Sequence, residues 1–154
     1  MQQPVVRRCG AGDLDALLPL VAGYHAFEHI ERTADERRRA VSQLLDNPVL
    51  GEIWGLQRPA GLRGYVALCF GYLIEFGGRD AFIDELFVAP EDRGRGFGRL
   101  LLRTALAAAA EAGVVALHLE VERSNAAATA LYEAHGFVLR SGFNLMSARL
   151  GDGG

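Results

Sequence analysis

The chain of 154 residues contains no lysine; all sixteen basic residues are arginine. A nucleotide P-loop, which needs Gly-Lys-Ser/Thr, is thereby excluded. Cysteine is scarce as well: Cys9 and Cys69 are too few and too far apart for a disulfide framework or a zinc site. No metal is expected, and a reducing, cytoplasmic setting is the simplest expectation. Cys69 has no motif that marks a nucleophile and reads as core packing. The chain lacks any run of about 18 apolar residues able to span a bilayer, and its start, MQQPVVRRCG, lacks the apolar core of a secretory signal. No membrane partner is expected. The net charge of −3 argues against general affinity for nucleic acid, and one short RGRGF run on an acidic chain is thin support for it. The length suits one domain, expected over residues 1–150, with a disordered tail over 151–154.

What the chain does have is glycine in a particular place. Residues 81–113 read AFIDELFVAPEDRGRGFGRLLLRTALAAAAEAG: an apolar run, Pro90, three glycines at Gly94, Gly96 and Gly98, then a helical segment closed by Gly113. This predicts strand, tight loop and helix. Loop glycines leave backbone N–H groups uncovered beside the positive end of the helix dipole, so the loop is suited to an anion, phosphate above all. A dinucleotide fingerprint would need its third glycine where Arg99 stands.

Around this unit the pattern predicts a short strand over residues 4–8 and a first helix with Leu14, Leu17, Leu18 and Val21 on one face. Pro19 predicts a kink or a late start to that helix. Thr33 and Glu36 form a capping box for a second helix ending near Asp46. Within it Arg37, Arg38 and Arg39 read as a solvated face. Strands follow over 51–57 and 64–76, then a hairpin into 81–88, where alternation puts Ile83, Glu85 and Phe87 on one face. A carboxylate on a strand covered on both sides is costly without a partner or a task. The helix over 97–112 docks by Leu101, Leu102, Ala105, Leu106 and Ala109. Residues 114–122 predict a strand parallel to 81–88, residues 126–134 a last helix capped by Asn125 and ended by Gly136, and residues 143–150 a closing strand.

The motif Arg93-x-x-Gly96-x-Gly98, after Leu86-Phe87-Val88 and before a Leu/Ala-rich helix, resembles the acetyl-CoA loop of the GNAT-type N-acetyltransferases. NAAATALYEAHGF resembles the second signature of the same superfamily, with Asn125, Thr129, Tyr132, Gly136 and Phe137 in register. The resemblance spans about residues 4–150, with specific motifs only in the second half. It implies an α/β fold with a mixed central sheet of six to seven strands and about four helices, its central parallel strands splayed to admit acetyl-CoA. It implies coenzyme contacts from Phe87, Val88, Arg93, Gly94, Arg95, Gly96, Phe97, Gly98 and Asn125, with main-chain N–H groups near Val88 acting as an oxyanion hole. The first two helices would form a wall of the acceptor site, which makes Tyr24, His25, Glu28 and Glu31 candidates. Tyr132 would face the coenzyme sulfur.

The chemistry follows from what amine acylation needs. A primary amine with a pKa near 10 must shed a proton before it attacks. Glu85 is the first candidate for that base, with Glu75, Glu28 and Asp84 in reserve. Tyr132 can hand a proton or a hydrogen bond to the leaving thiolate. The expected activity is acetyl-CoA-dependent N-acetylation of a primary amine, a small cationic one being favoured by the acidic side chains and a peptide N-terminus remaining open. Tyr24, Glu28 and Glu75 are the candidate acceptor-binding residues. The alternative is a non-catalytic acyl-CoA-binding or sensing module. Homodimerisation, common in the superfamily, is possible.

Overall fold

The computed structural model describes residues 3–151, and the chain falls into two compact units, Met1–Leu119 and Glu120–Gly154. The expected disordered tail thus lies, for residues 152–154, outside the described residues.

The first unit is built on a five-stranded sheet in the order β1-β2-β3-β4-β5, comprising β1 (Val5–Arg8), β2 (Gly51–Arg58), β3 (Gly61–Leu73), β4 (Gly78–Val88) and β5 (Ala116–His118). The first three junctions are antiparallel and the last is parallel. Helices α1 (Leu14–Phe27) and α2 (Ala34–Asp46) connect β1 to β2, and α3 (Phe97–Glu111) connects β4 to β5. One face of the sheet, carrying Cys9, Ile53, Tyr65, Ala67 and Phe87, packs on Leu17, Leu20 and Val21 of α1 and Val41 of α2. The other face receives α3: a Cβ at Gly64, which points away from Tyr65, would stand 3.4 Å from Leu101. Leu101, Leu102, Ala105, Ala108 and Ala109 are all buried there. Leu106, expected on that face, is only half-buried.

Local sequence explains the helix ends. Thr33 Oγ1 accepts the Glu36 N–H at 3.1 Å, as its capping position demands, while the Glu36 carboxylate takes a hydrogen bond from Arg32 at 3.1 Å. Helix α1 runs through Pro19 instead of beginning after it. It stops with His29 in the left-handed region (φ 57°), where Ile30 N–H reaches back to the His25 carbonyl at 2.8 Å.

Four expectations need correction. The sheet has five strands among the described residues, not six to seven. The strand expected over 114–122 is regular only at Ala116–His118, and residues 143–150 form neither strand nor helix, with Leu145 and Met146 exposed. Apolar alternation reports which side chains a ladder would bury, but a strand exists only where a neighbouring backbone completes its hydrogen bonds. Last, β4 does not alternate strictly. Ala67 pairs with Glu85 and Leu68 with Ile83, so Asp84 is the extra residue of a β-bulge. The bulge sends Ile83 to the Leu68 face and leaves Glu85 and Phe87 together on the face covered by α1.

In the second unit, α4 (Ala126–Ala134) begins at Asn125, whose Oδ1 accepts the Ala128 N–H at 3.1 Å. It ends at Gly136 (φ 92°), where Phe137 N–H reaches the Tyr132 carbonyl at 3.1 Å.

Candidate active site

The parallel ladder between β4 and β5 covers only Asp80, Ala81 and Phe82. Beyond it, β4 runs six residues further, to Val88, with no strand paired to that edge among the described residues. Ala89 N–H points at β3, donating to the Arg63 carbonyl at 2.8 Å. By alternation the Val88 N–H and C=O point to the open edge. The Val88 carbonyl there accepts the Arg93 Nε–H at 3.0 Å, and the Arg93 guanidinium lies against the rings of Phe27 and Phe87.

The strand leads into a 3₁₀ turn, Pro90–Asp92, anchored by Arg63, whose Nε donates to Asp92 at 2.7 Å and whose NH2 donates to Glu91 at 2.9 Å. Then comes the glycine loop. Gly94 and Gly96 are left-handed, with φ of 77° and 82°, a conformation other residues adopt at a cost. Nothing lies within 4 Å of where a Cβ would stand at Gly94, Gly96 or Gly98, so the loop backbone faces open space. Gly96 is the N-cap of α3 without a side-chain cap, so no side chain claims the first N–H groups of the helix. Phe97 is buried under the Arg58 guanidinium, 4.9 Å from its ring centroid, so its side chain packs and only its backbone faces the loop. Arg95 is mostly exposed and 4.0 Å from Asp92. The stretch offers an uncovered, positively polarised backbone, the kind of surface that takes phosphate.

On the α1 face of β4, three residues before Val88, Glu85 is held by two donors. Tyr65 O–H donates to its Oε1 at 2.6 Å, and His25 Nε2 lies 2.7 Å from its Oε2. Arg37 Nε donates to the other ring nitrogen of His25, Nδ1, at 3.3 Å, and Arg37 NH2 donates to the Arg32 carbonyl at 3.1 Å. Burial, and then the neighbouring Glu85 carboxylate, push the Tyr65 hydroxyl far above its ordinary range, so it stays a donor. A carboxylate has about four acceptor sites. These two contacts leave room for a proton on Glu85.

Of the residues singled out from sequence, the fold brings Glu85, His25, Tyr24 and Phe87 into one group. The Tyr24 ring meets Phe87 edge-on with centroids 6.3 Å apart, and Gly23 lets the helix approach so closely that a Cβ there would stand 3.0 Å from the Phe87 ring. Glu28 caps the end of α1 and is half-buried. Glu75 sits elsewhere, exposed in the β3–β4 turn. It lies beyond Leu73, six strand positions from the Ala67 partner of Glu85, or roughly 20 Å. Asn125 and Tyr132 belong to the second unit, where the Tyr132 ring packs on Phe137 with centroids 5.9 Å apart. Tyr65 and Arg37 lie outside the set that sequence singles out. Arg37 corrects the reading of residues 37–39 as a solvated face: Arg37 turns inward to His25, while Arg38 pairs with Asp15 at 2.7 Å. Two signals were available. A tyrosine in an apolar strand must find a hydroxyl partner, and of three consecutive helical arginines one points toward the core.

A glycine loop opening a helix, fed by a strand with a free edge and a held carboxylate, defines a fold suited to acyl transfer from a phosphate-bearing coenzyme. The chain belongs to the acetyltransferase (GNAT) family, whose sequence model matches residues 21–137. It is 47% identical over 58 residues to the ribosomal protein bS18-alanine N-acetyltransferase of Salmonella typhimurium strain LT2; the match covers 38% of this chain and 39% of that enzyme. An integron cassette protein, HFX_CASS3, from the Cole Harbour Salt Marsh mobile metagenome superposes with a TM-score of 0.83 at 31% identity, covering 96% of this chain and 91% of that one. A predicted acetyltransferase of Clostridium acetobutylicum, solved with acetyl-CoA, shares the fold with a TM-score of 0.78 at 18% identity, covering 94% of this chain and 96% of that one.

Proposed function

We propose that the protein transfers an acetyl group from acetyl-CoA to a primary amine by direct attack in a ternary complex. The observation that carries this reading is the placement of Glu85, held by two donors and three residues before the free edge at Val88. In the proposed reaction the glycine loop takes the coenzyme phosphates and the Val88 N–H polarises the thioester carbonyl. Glu85 takes the proton the amine must lose. The amine nitrogen bonds to the carbonyl carbon, the C–S bond breaks, and the thiolate leaves with a proton that Tyr132 is proposed to supply.

The proposed acceptor is the α-amine of a peptide. Support comes from the Salmonella relative, named for acting on an alanine of a ribosomal protein. A small cationic amine is less favoured than the sequence suggests. Of the acidic side chains behind that expectation, Glu75 lies away in the hairpin turn and Glu85 already has two donors. An α-amine, with a pKa near 8, also asks less of the base than a side-chain amine does.

Thiol release from acetyl-CoA, measured across alanine-terminated peptides and polyamines, tests the reading. Glu85→Gln should lower kcat roughly 100-fold or more, and Tyr132→Phe should lower it as well, with coenzyme affinity nearly unchanged in both. Unaltered turnover in Glu85→Gln would remove Glu85 from the chemistry. Absence of thiol release with every amine would leave a coenzyme-binding module.

A further inference from the structure

We infer that Arg37 and His25 form a positioning pair that sets the direction of the Glu85 carboxylate. The inference rests on the reading of Glu85 as the base. Its starting point is the hydrogen-bond order across three elements: Arg37 on α2, His25 on α1 and Glu85 on β4.

An arginine Nε–H is always a donor, because the guanidinium keeps its proton in proteins. The ring atom it faces, His25 Nδ1, must therefore present a lone pair. The imidazole proton then sits on Nε2, and Nε2 donates to Glu85 Oε2 at 2.7 Å. Glu85 thus accepts from His25 on one oxygen and from Tyr65 on the other, which pins the plane of the carboxylate. Its remaining lone pairs face whatever approaches along the strand.

The same order shows what His25 does not do. A proton arriving on Glu85 cannot pass to His25, since Nε2 already carries a hydrogen and Nδ1 is turned to Arg37. His25 holds the base and does not relay from it.

The surroundings fix the ring further. His25 is 8% exposed. Its own carbonyl accepts the Ile30 N–H that closes α1, and the Tyr24 ring lies 6.0 Å away at 60°. Arg37 is in turn braced by its bond to the Arg32 carbonyl just before α2. The device depends on contacts 12 and 60 residues apart in sequence.

The test joins spectroscopy to kinetics. Long-range ¹H–¹⁵N correlation on histidine-labelled full-length protein should show His25 as the Nε2–H tautomer. An Nδ1–H ring in the wild type overturns the inference. In thiol-release assays, His25→Leu should lower kcat roughly 10- to 100-fold, the range for a hydrogen bond to a charged group, without altering the coenzyme KM. His25→Gln, which keeps an N–H donor, should recover much of that loss. Arg37→Ala, on the outer side of the site and less exposed to folding defects, should cost about 3- to 10-fold in kcat, with Arg37→Lys restoring part. A fall in kcat for Glu85→Gln with none for His25→Leu or Arg37→Ala overturns the positioning pair alone. No fall for Glu85→Gln overturns the base assignment, whatever tautomer is seen.

Discussion

Cys9 and Cys69 show how burial decides chemistry that composition leaves open. Both are free; Cys9 is buried in the core and Cys69 is half-buried, and this burial pushes each thiol up to about 11. Near pH 8 almost no thiolate is present on either. We expect neither cysteine to react with a disulfide reagent in the native protein, and both to react once guanidinium unfolds it. Rapid native labelling would contradict the burial assigned to them. The thiol counted in an acetyl-transfer assay is then the coenzyme's alone. Histidine behaves similarly: His25 and His118 are both in the sequence, but of the two it is His25 that contacts Glu85, the proposed base. His118 is packed between the rings of Phe76 and Phe82, 3.4 Å from Asp80, with its Nε2 making no hydrogen bond.

The elements meet through a few polar joints, and the joint between β1 and α1 is the clearest. Arg7 donates to both oxygens of Asp13, and the Gly10 N–H donates to Asp13 as well, at 2.9 Å. The Arg7 hydrogen bond, then the backbone one, holds the Asp13 carboxyl below its usual pKa. A group depressed on folding adds stability above its unfolded value, near 3.9, and loses it as pH falls through the folded value. Wild type should therefore melt above Asp13→Asn at pH 6–7, and the gap should close below about pH 4. A gap that stays constant or widens in acid would show that Asp13 acts by shape and not by charge. Asp13 stands at the N-cap of α1, yet its side chain makes no cap hydrogen bond to that helix. Its carboxylate instead serves the turn before the helix and the strand before that. The β4 bulge is a second joint of this kind. Asp84 is the inserted residue; had it taken the regular place opposite Ala67, Glu85 would face the α3 side of the sheet, away from His25.

For the molecule as a whole, the glycine loop and the open edge of β4 are features of the first unit's backbone and should survive most side-chain changes. Coenzyme that binds only the folded chain adds about 2.7 kcal/mol of stability at 100 times its dissociation constant. For a chain of this size that corresponds to a rise of about 5–10 °C in Tm. Gly96→Ala should shrink that rise, because its φ of 82° strains any side chain at the turn that presents the α3 N–H groups. Differential scanning with and without acetyl-CoA checks both statements. An unchanged wild-type melting point would argue against coenzyme binding itself.

Much of this architecture could be read before the fold was known. The glycines at 94, 96 and 98, the Thr33 cap, the Asn125 and Gly136 ends of α4 and the strand-loop-helix unit depend on residues only a few positions apart, and turn geometry and helix periodicity act over that range. Strand count, the Asp84 bulge, the inward turn of Arg37 and the contacts of Glu85 could not be read so. Each depends on which distant backbone or side chain arrives beside it, and a lone chain segment holds no record of that. The sequence thus set the glycine loop proposed to hold a phosphate, because that loop is built from its own neighbouring residues and amides. Which carboxylate has two donors and a fixed direction was settled only when α1, α2 and β3 closed over β4.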